Sequence, residues 1–211
     1  MGYINPGMLY RGNIDLFAHC LARLPSNAPI IEIGSFAGLS LNHLILFLRR
    51  AGRDNLVFSV DAWKFEVPDG GKTIEGSSIT FDEYRAHVIE TFRRNVTLFS
   101  GQRLPHHIEL NSDQFFEAWA AAERLTDFFG NAAALGGPIS FAYIDGDHSY
   151  EQSMRDFLNV DSHLERGGFI VFDDSADGTD WGAHQTAREA AALERYEVVA
   201  KNPHYCLRKV S

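Results

Sequence analysis

The chain has 211 residues, 45% of them hydrophobic and 22% charged, and a formal net charge of −9. That composition suits a single domain with a full core, and the acid excess disfavours nucleic acid or an anionic membrane as a partner, because phosphates would be repelled. Its two cysteines, Cys20 and Cys206, lie far apart with no CxxC spacing, which excludes a disulfide framework or a cysteine zinc site.

Cys20 sits in an apolar run and reads as a buried free thiol. Arg49, Arg50 and Arg53 form the one dense basic cluster and read as a solvated helix end. No cationic-then-apolar leader and no bilayer-length apolar run is seen, so a cytoplasmic protein is expected.

Strand-like and helix-like segments alternate along the chain. Residues 1–28 form an N-terminal helical segment, with the helix itself at 13–24. Residues 29–33 are a short, almost wholly apolar strand, 40–50 a helix, and 56–60 a second strand ending in Asp61. Residues 62–80 then break the rhythm with Pro68, Gly70, Gly71 and Gly76 and read as a lid or substrate loop. A helix is predicted at 81–98, a weak strand at 107–110 and a helix at 113–129. Next come a strand at 139–144, a helix at 150–164, a strand at 169–172 and a last helix at 183–193. Residues 196–200 and 205–210 look like a closing antiparallel pair. Strands apolar on both faces need cover on both sides. The predicted fold is therefore α/β: a doubly wound, Rossmann-like, mostly parallel seven-stranded sheet with helices on both faces, spanning 1–211 as one domain.

Two places along this pattern carry chemistry. The first is the run Ile30 through Ser40, which is strand, glycine turn, then helix. Gly34 allows a sharp turn and close approach of a ligand, and backbone N–H groups at the following helix start can face a polar group. Asp61, about 20 residues beyond, is placed to accept bonds from ribose hydroxyls. These features argue for an adenosine-bearing cofactor. A dinucleotide site wants G-x-G-x-x-G, whereas Glu32, Gly34 and Gly38 give Glu-x-Gly-x-x-x-Gly.

The second is a pair of apolar strands that end in acid. Phe141 to Ile144 runs into Asp145, Gly146, Asp147 and His148, and Phe169 to Phe172 runs into Asp173 and Asp174. Strand C-termini form the ligand-binding rim of an open α/β sheet. Three carboxylates crowded there need a cation or raised pKa values to coexist. The all-oxygen donor set suits Mg²⁺.

The glycine-loop pattern resembles the first motif of class I S-adenosylmethionine-dependent methyltransferases. The resemblance implies that Glu32, Gly34, Ser35, Gly38 and Ser40 surround the methionine part of the cofactor. Ser112 and Asp113 match the segment bordering the adenine, although either is also a candidate helix cap. The acid-tipped strands resemble metal-dependent small-molecule O-methyltransferases of the catechol and macrolide-sugar types. Carried over residue by residue, Asp145, Asp173 and Asp174 match the Mg²⁺ ligands. His148 matches the position holding a histidine base in the macrolide-sugar enzymes and a lysine in the catechol enzymes. The implied reaction is methyl transfer to a hydroxyl of a sugar, polyketide or phenol, with homo-oligomers allowed. His148 also has a plain capping or core reading. Asp147 either caps the helix near Ser149 or orients His148. Trp63, Tyr150 and Trp181 are aromatic candidates for a pocket wall. Two rival readings stand beside this one. Asp145-Gly146-Asp147 also matches the DxD metal site of glycosyltransferases, and a non-catalytic adenosine-binding protein would keep the same fold.

Overall fold

A computed structural model describes residues 5–65, 73–74, 76–101 and 103–211. Part of the expected lid at 62–80 therefore lies outside the described residues. The elements are α1 (Arg11–Leu21), β1 (Ile30–Ile33), α2 (Leu39–Arg50), β2 (Val57–Val60), α3 (Phe81–Ser100), β3 (His106–Ile108) and α4 (Ser112–Ala120). They continue with β4 (Arg124–Thr126), β5 (Ala132–Ala134), β6 (Ile139–Ile144), α5 (Tyr150–His163), β7 (Leu164–Phe172), α6 (Gly182–Ala191), β8 (Tyr196–Lys201) and β9 (Tyr205–Lys209).

Seven strands form one sheet in the order β3-β2-β1-β6-β7-β9-β8. The first five are mutually parallel, and β9 joins antiparallel to both β7 and β8. The expected mostly parallel seven-stranded sheet with a terminal antiparallel pair is thus present. The strand order reverses between β1 and β6, so their C-terminal ends frame the crevice where this class of sheet binds ligands.

Every residue of β1, β2 and β6 is buried, as their apolar runs require. Side-chain alternation divides these strands between two cores. Ile31, Ile33, Ala142, Ile144, Ile170 and Phe172 pack with α4, α5 and α6. Ile30, Phe141, Tyr143, Phe169 and Val171 pack with α1, α2 and α3. Each large apolar side chain so buried is worth about 1.5–3 kcal/mol. The helix starts are specified locally. Thr80 and Glu83 close a capping box on α3, and Ser149 caps α5 by accepting from the Gln152 N–H.

Two expectations require correction. The helix predicted at 113–129 ends at Ala120, and residues 124–134 form a separate two-stranded hairpin. The run has good helix formers, but Asp127 Oδ1 accepts from the N–H groups of Phe129 and Asn131 and stabilises a turn instead. Phe128 then packs against Trp63 and Phe92, a tertiary contact that outweighs the local propensity. The strand predicted at 169–172 begins earlier, at Leu164. Gly167, at φ 87°, lets the chain bend through Arg166–Gly168, where the pairing with β6 shifts register. Cys20 and Cys206 are both free and buried. Their Sγ atoms lie 3.4 Å apart, a proximity the sequence spacing conceals. Among the described residues, no helix is long and apolar enough to cross a membrane.

Candidate functional site

β1 delivers Glu32 and the glycine loop to the crevice. Glu32 is fully buried, and neither carboxylate oxygen meets a hydrogen-bond partner among the described residues. Burial raises its pKa from 4.5 to about 8, against the opposing influence of the nearby Ser40 and Ser35 hydroxyls. Gly34 has φ 84°, and a Cβ there would lie 1.9 Å from the Asp145 carbonyl oxygen. The glycine is therefore needed for the close packing of the β1 and β6 ends, more than for approach of a ligand. Gly38, at φ 83°, is the left-handed N-cap of α2, and a Cβ there would press on Val96 and Phe92.

Asp61 follows the end of β2, as predicted. Its Oδ2 accepts from the N–H groups of Ser35 (2.9 Å) and Phe36 (3.0 Å), and its Oδ1 from Trp63 (2.7 Å). Its carboxylate thus braces the glycine loop from the neighbouring strand. Burial raises its pKa, although these three bonds pull it down.

β6 and β7 deliver the acidic rim. The Asp145 N–H donates to Ile33 O and the Asp173 N–H to Ile144 O, each at 2.8 Å. The sheet ladder thereby carries both residues one step past the strand ends. Burial and the adjacent Asp173 charge push the Asp145 carboxyl well above its usual range. Asp173 is also desolvated, but His204 and other hydrogen-bonding neighbours bring it below the usual range. Asp174 occupies the left-handed region at φ 47°, a conformation that Asp tolerates better than most residues and that sets its carboxylate apart from that of Asp173. Its Oδ2 lies 3.4 Å from His148 Nε2.

His148 is held by its backbone and by an aromatic neighbour. Its carbonyl accepts from the Ala183 N–H at 3.1 Å, and its ring lies 5.3 Å from that of Trp181. Gly182 makes this approach possible, since a Cβ there would come 2.1 Å from the Tyr150 backbone nitrogen. The start of α6 can therefore seat directly on the start of α5. With its side chain 31% exposed, His148 is not a core histidine. Asp147 does not cap α5. Its Oδ1 accepts from the Ser149 N–H at 2.7 Å, an Asx turn that leads into the Ser149 cap, and this bond lowers its pKa.

One cavity of about 490 Å³ joins the two halves. Gly34, Ser35, Ser40 and Asp61 line it from the loop side, and Asp145, His148, Asp173 and Asp174 from the rim. Glu32, Gly38, Ser112 and Asp113 do not line it. Asn111, rather than Ser112 or Asp113, caps α4, by accepting from the Gln114 N–H at 2.8 Å. Ser112 accepts from Gln152, and Asp113 faces Arg155 and Asn159. Trp181 does line the cavity, whereas Trp63 is buried against Phe92 and His107 and Tyr150 bonds to Glu189 on the surface.

Sequence reasoning missed the N-terminal wall. Met8 and Tyr10 line the cavity, and Asn13 and His204 reach the Asp173 carboxylate from behind. Asn13 left a trace in the sequence, because it shares the apolar helical stripe of Leu16, Phe17, Cys20 and Leu21. His204 lies in a hairpin turn and left none.

No curated protein matches the sequence significantly. A family described as a methyltransferase domain matches residues 31–175, a span that contains the glycine loop, Asp61, His148 and all three rim carboxylates. Among solved structures, the fold is similar to the O-methyltransferase NovP, with a TM-score of 0.62 and 16% identity over 95% of this chain and 80% of that one. It is also similar to the Bacillus cereus O-methyltransferase in complex with SAH, with a TM-score of 0.57 and 14% identity over 99% and 85% of the two chains. The O-methyltransferase TomG from Streptomyces achromogenes, in complex with SAM, gives a TM-score of 0.57 and 12% identity over 97% and 82%. The glycosyltransferase and non-catalytic readings gain nothing from these comparisons.

Proposed function

We propose a reaction for a chain that belongs to the S-adenosylmethionine-dependent methyltransferase family: methyl transfer to a hydroxyl oxygen of a small molecule, with Mg²⁺ beside the acceptor and His148 as base. The observation that carries this reading is the single cavity of about 490 Å³ bounded by both the glycine loop and the acidic rim. A cofactor seated against Gly34, Ser35 and Ser40 would then share a compartment with an acceptor held near Asp174 and His148.

The residues lining the cavity suit the cofactor, and the rim offers carboxylates of the kind Mg²⁺ takes without a ready-made site for it among the described residues. Ser35 and Ser40, which line the cavity above the buried Glu32, offer polar contacts to a methionine-type ligand, and Asp61 stiffens the loop. Asp145, Asp173 and Asp174 offer the hard oxygen donors that Mg²⁺ takes. The upward push of Asp173 on Asp145 is the like-charge conflict that a dication relieves. Among the described residues no three such groups already surround a common point, so holding the ion would require side-chain adjustment at this rim. When bound, the cofactor supplies an electrophilic methyl and Mg²⁺ lowers the pKa of the acceptor hydroxyl.

The chain's own residues do the remainder. His148 Nε2 faces the Asp174 side of the cavity, where a neutral imidazole can take the acceptor proton. Trp181 and Tyr10, each about half exposed, and Met8, more exposed, line the same space. Their apolar surfaces favour an acceptor with a ring or hydrophobic body, such as a phenol or a hydroxylated polyketide, over a bare polar alcohol. The test is a thermal-shift titration with S-adenosylhomocysteine, followed by methyl transfer to a panel of hydroxylated acceptors with Mg²⁺ or with EDTA. Stabilisation by the ligand is expected, together with turnover that EDTA removes and Mg²⁺ restores. No stabilisation would overturn the cofactor assignment, and turnover indifferent to EDTA would remove the metal.

A further inference from the structure

Residues 5–10 precede α1 and run along the cavity as a short strap, held at both ends and exposed between them. At the far end α1 is seated by its buried face, Leu16, Phe17 and Cys20. At the near end Asn5 is 1% exposed and is tied to the glycine loop and to α2. Its Nδ2 donates to Ala37 O at 3.1 Å, and its Oδ1 accepts from Asn42 Nδ2 at 2.6 Å. The Asn5 amide has one usable orientation here, because the Ala37 carbonyl can only accept. Ala37 O takes a second bond, at 3.1 Å, from Asn95 of α3, so Asn5 joins the loop, α2 and α3 at one point. Two residues further on, the strap crosses the start of α2 so closely that a Cβ on Gly7 would lie 2.6 Å from Leu39 Cβ.

Between these ends the strap belongs to the site. Gly7, Met8, Leu9 and Tyr10 line the cavity of about 490 Å³ that the glycine loop and Ser40 also line. Little buries them. Met8 is 85% and Tyr10 54% exposed, and Pro6 and Gly7 are exposed as well. A segment with so few buried contacts opens at low free-energy cost once one end is released. The hold on the strap is therefore concentrated in Asn5, a residue that does not itself line the cavity.

We propose that residues 6–10 form a strap that retains the cofactor, and that Asn5 is a positioning residue whose two bonds keep it closed. This rests on the assignment of an S-adenosylmethionine-type cofactor to the cavity, and on neither the metal nor the base. The test is dissociation of radiolabelled S-adenosylhomocysteine from the full chain, chased with unlabelled ligand, together with its association rate. Asn5→Ala should raise the dissociation rate about 5- to 50-fold. Association should be no slower, because a released strap opens the cavity without reshaping the glycine loop. Asn42→Ala should act in the same direction, and the double variant should dissociate no faster than Asn5→Ala alone, since both substitutions act on one anchor. Gly7→Ala forces the strap away from Leu39 while leaving both asparagines in place. It should also speed dissociation, and it carries the test if the asparagine variants fail to fold. Folded variants that release S-adenosylhomocysteine at the wild-type rate would overturn the proposal and leave the cofactor assignment standing. Faster release with slower association would also overturn it, by showing that Asn5 shapes the glycine loop instead. A wild type that does not bind S-adenosylhomocysteine would remove both.

Discussion

Glu32 gives the sharpest quantitative test of the site, because its predicament is measurable without knowing the acceptor. Its carboxyl is wholly buried, lacks a hydrogen-bond partner, and has its pKa raised from 4.5 to about 8. The folded chain therefore holds a proton on Glu32 between these values, and the unfolded chain does not. Stability must fall as pH rises through that window, and the penalty is complete only above pH 8. Across the whole window the loss amounts to about 5 kcal/mol, and between pH 5.5 and 7.5 to about 2.5 kcal/mol. For a chain of this size that corresponds to a fall of about 5–10 °C in Tm. Glu32→Gln keeps the shape and cannot ionise, so its Tm should lack this component. The assay is the Tm of both proteins from pH 5.5 to 7.5, read as their difference so that other titrating groups cancel. Parallel Tm curves for the two proteins would refute the reasoning and imply that Glu32 is hydrated or paired.

Two further substitutions probe the remaining parts. His148→Ala should lower methyl transfer by about 10²- to 10⁴-fold with S-adenosylhomocysteine affinity unchanged, and near-normal turnover would return the histidine to a structural role. Gly34→Ala places a Cβ 1.9 Å from the Asp145 carbonyl, so its urea midpoint should show a loss of about 3 kcal/mol or more. The control, Gly52→Ala, has a positive φ but open space around it and should cost only about 1–2 kcal/mol. Equal losses would mean that backbone strain alone, rather than contact between β1 and β6, governs the loop.

The parts of the site that were legible in the sequence are those fixed by local pattern. β1 and β6 are short apolar runs with an abrupt polar end. That pattern alone places their residues, and the groups just beyond them, Gly34 and Asp145, at a sheet rim. Asp61, Asp173 and Asp174 follow by the same logic. The helix predicted at 113–129 failed because its composition favours helix while the Asp127 turn and the packing of Phe128 on Trp63 do not. A local pattern cannot report a contact between residues some 65 positions apart. Asn111 took the α4 cap from Ser112 and Asp113 for a smaller reason: three adjacent residues were all able caps, and sequence does not choose among them.

The same division explains why the rim looked simpler in sequence than it is. Read as strand tips, Asp145, Asp173 and Asp174 are three equivalent carboxylates. In the fold they have three different environments. Asp145 is buried with its pKa raised, Asp173 is desolvated yet bonded to Asn13 and His204, and Asp174 faces His148 from a left-handed backbone. Of the three, Asp174 alone pairs closely with His148. The bonds to Asp173 come from α1 and from the turn before β9, elements outside the matched span of residues 31–175, whereas His148 and the Asp174 backbone lie within it. The shared architecture of a methyltransferase sheet can thus supply the acids, while the flanking segments of this chain set the bonding of Asp173. Tyr10 and Met8 belong to the same N-terminal segment as Asn13, so part of the cavity wall and one of the side chains bonded to Asp173 come from one stretch of chain. A change of acceptor preference by substitution in residues 8–10 would therefore be expected to disturb Asp173 as well, through the packing of Tyr10 on His204.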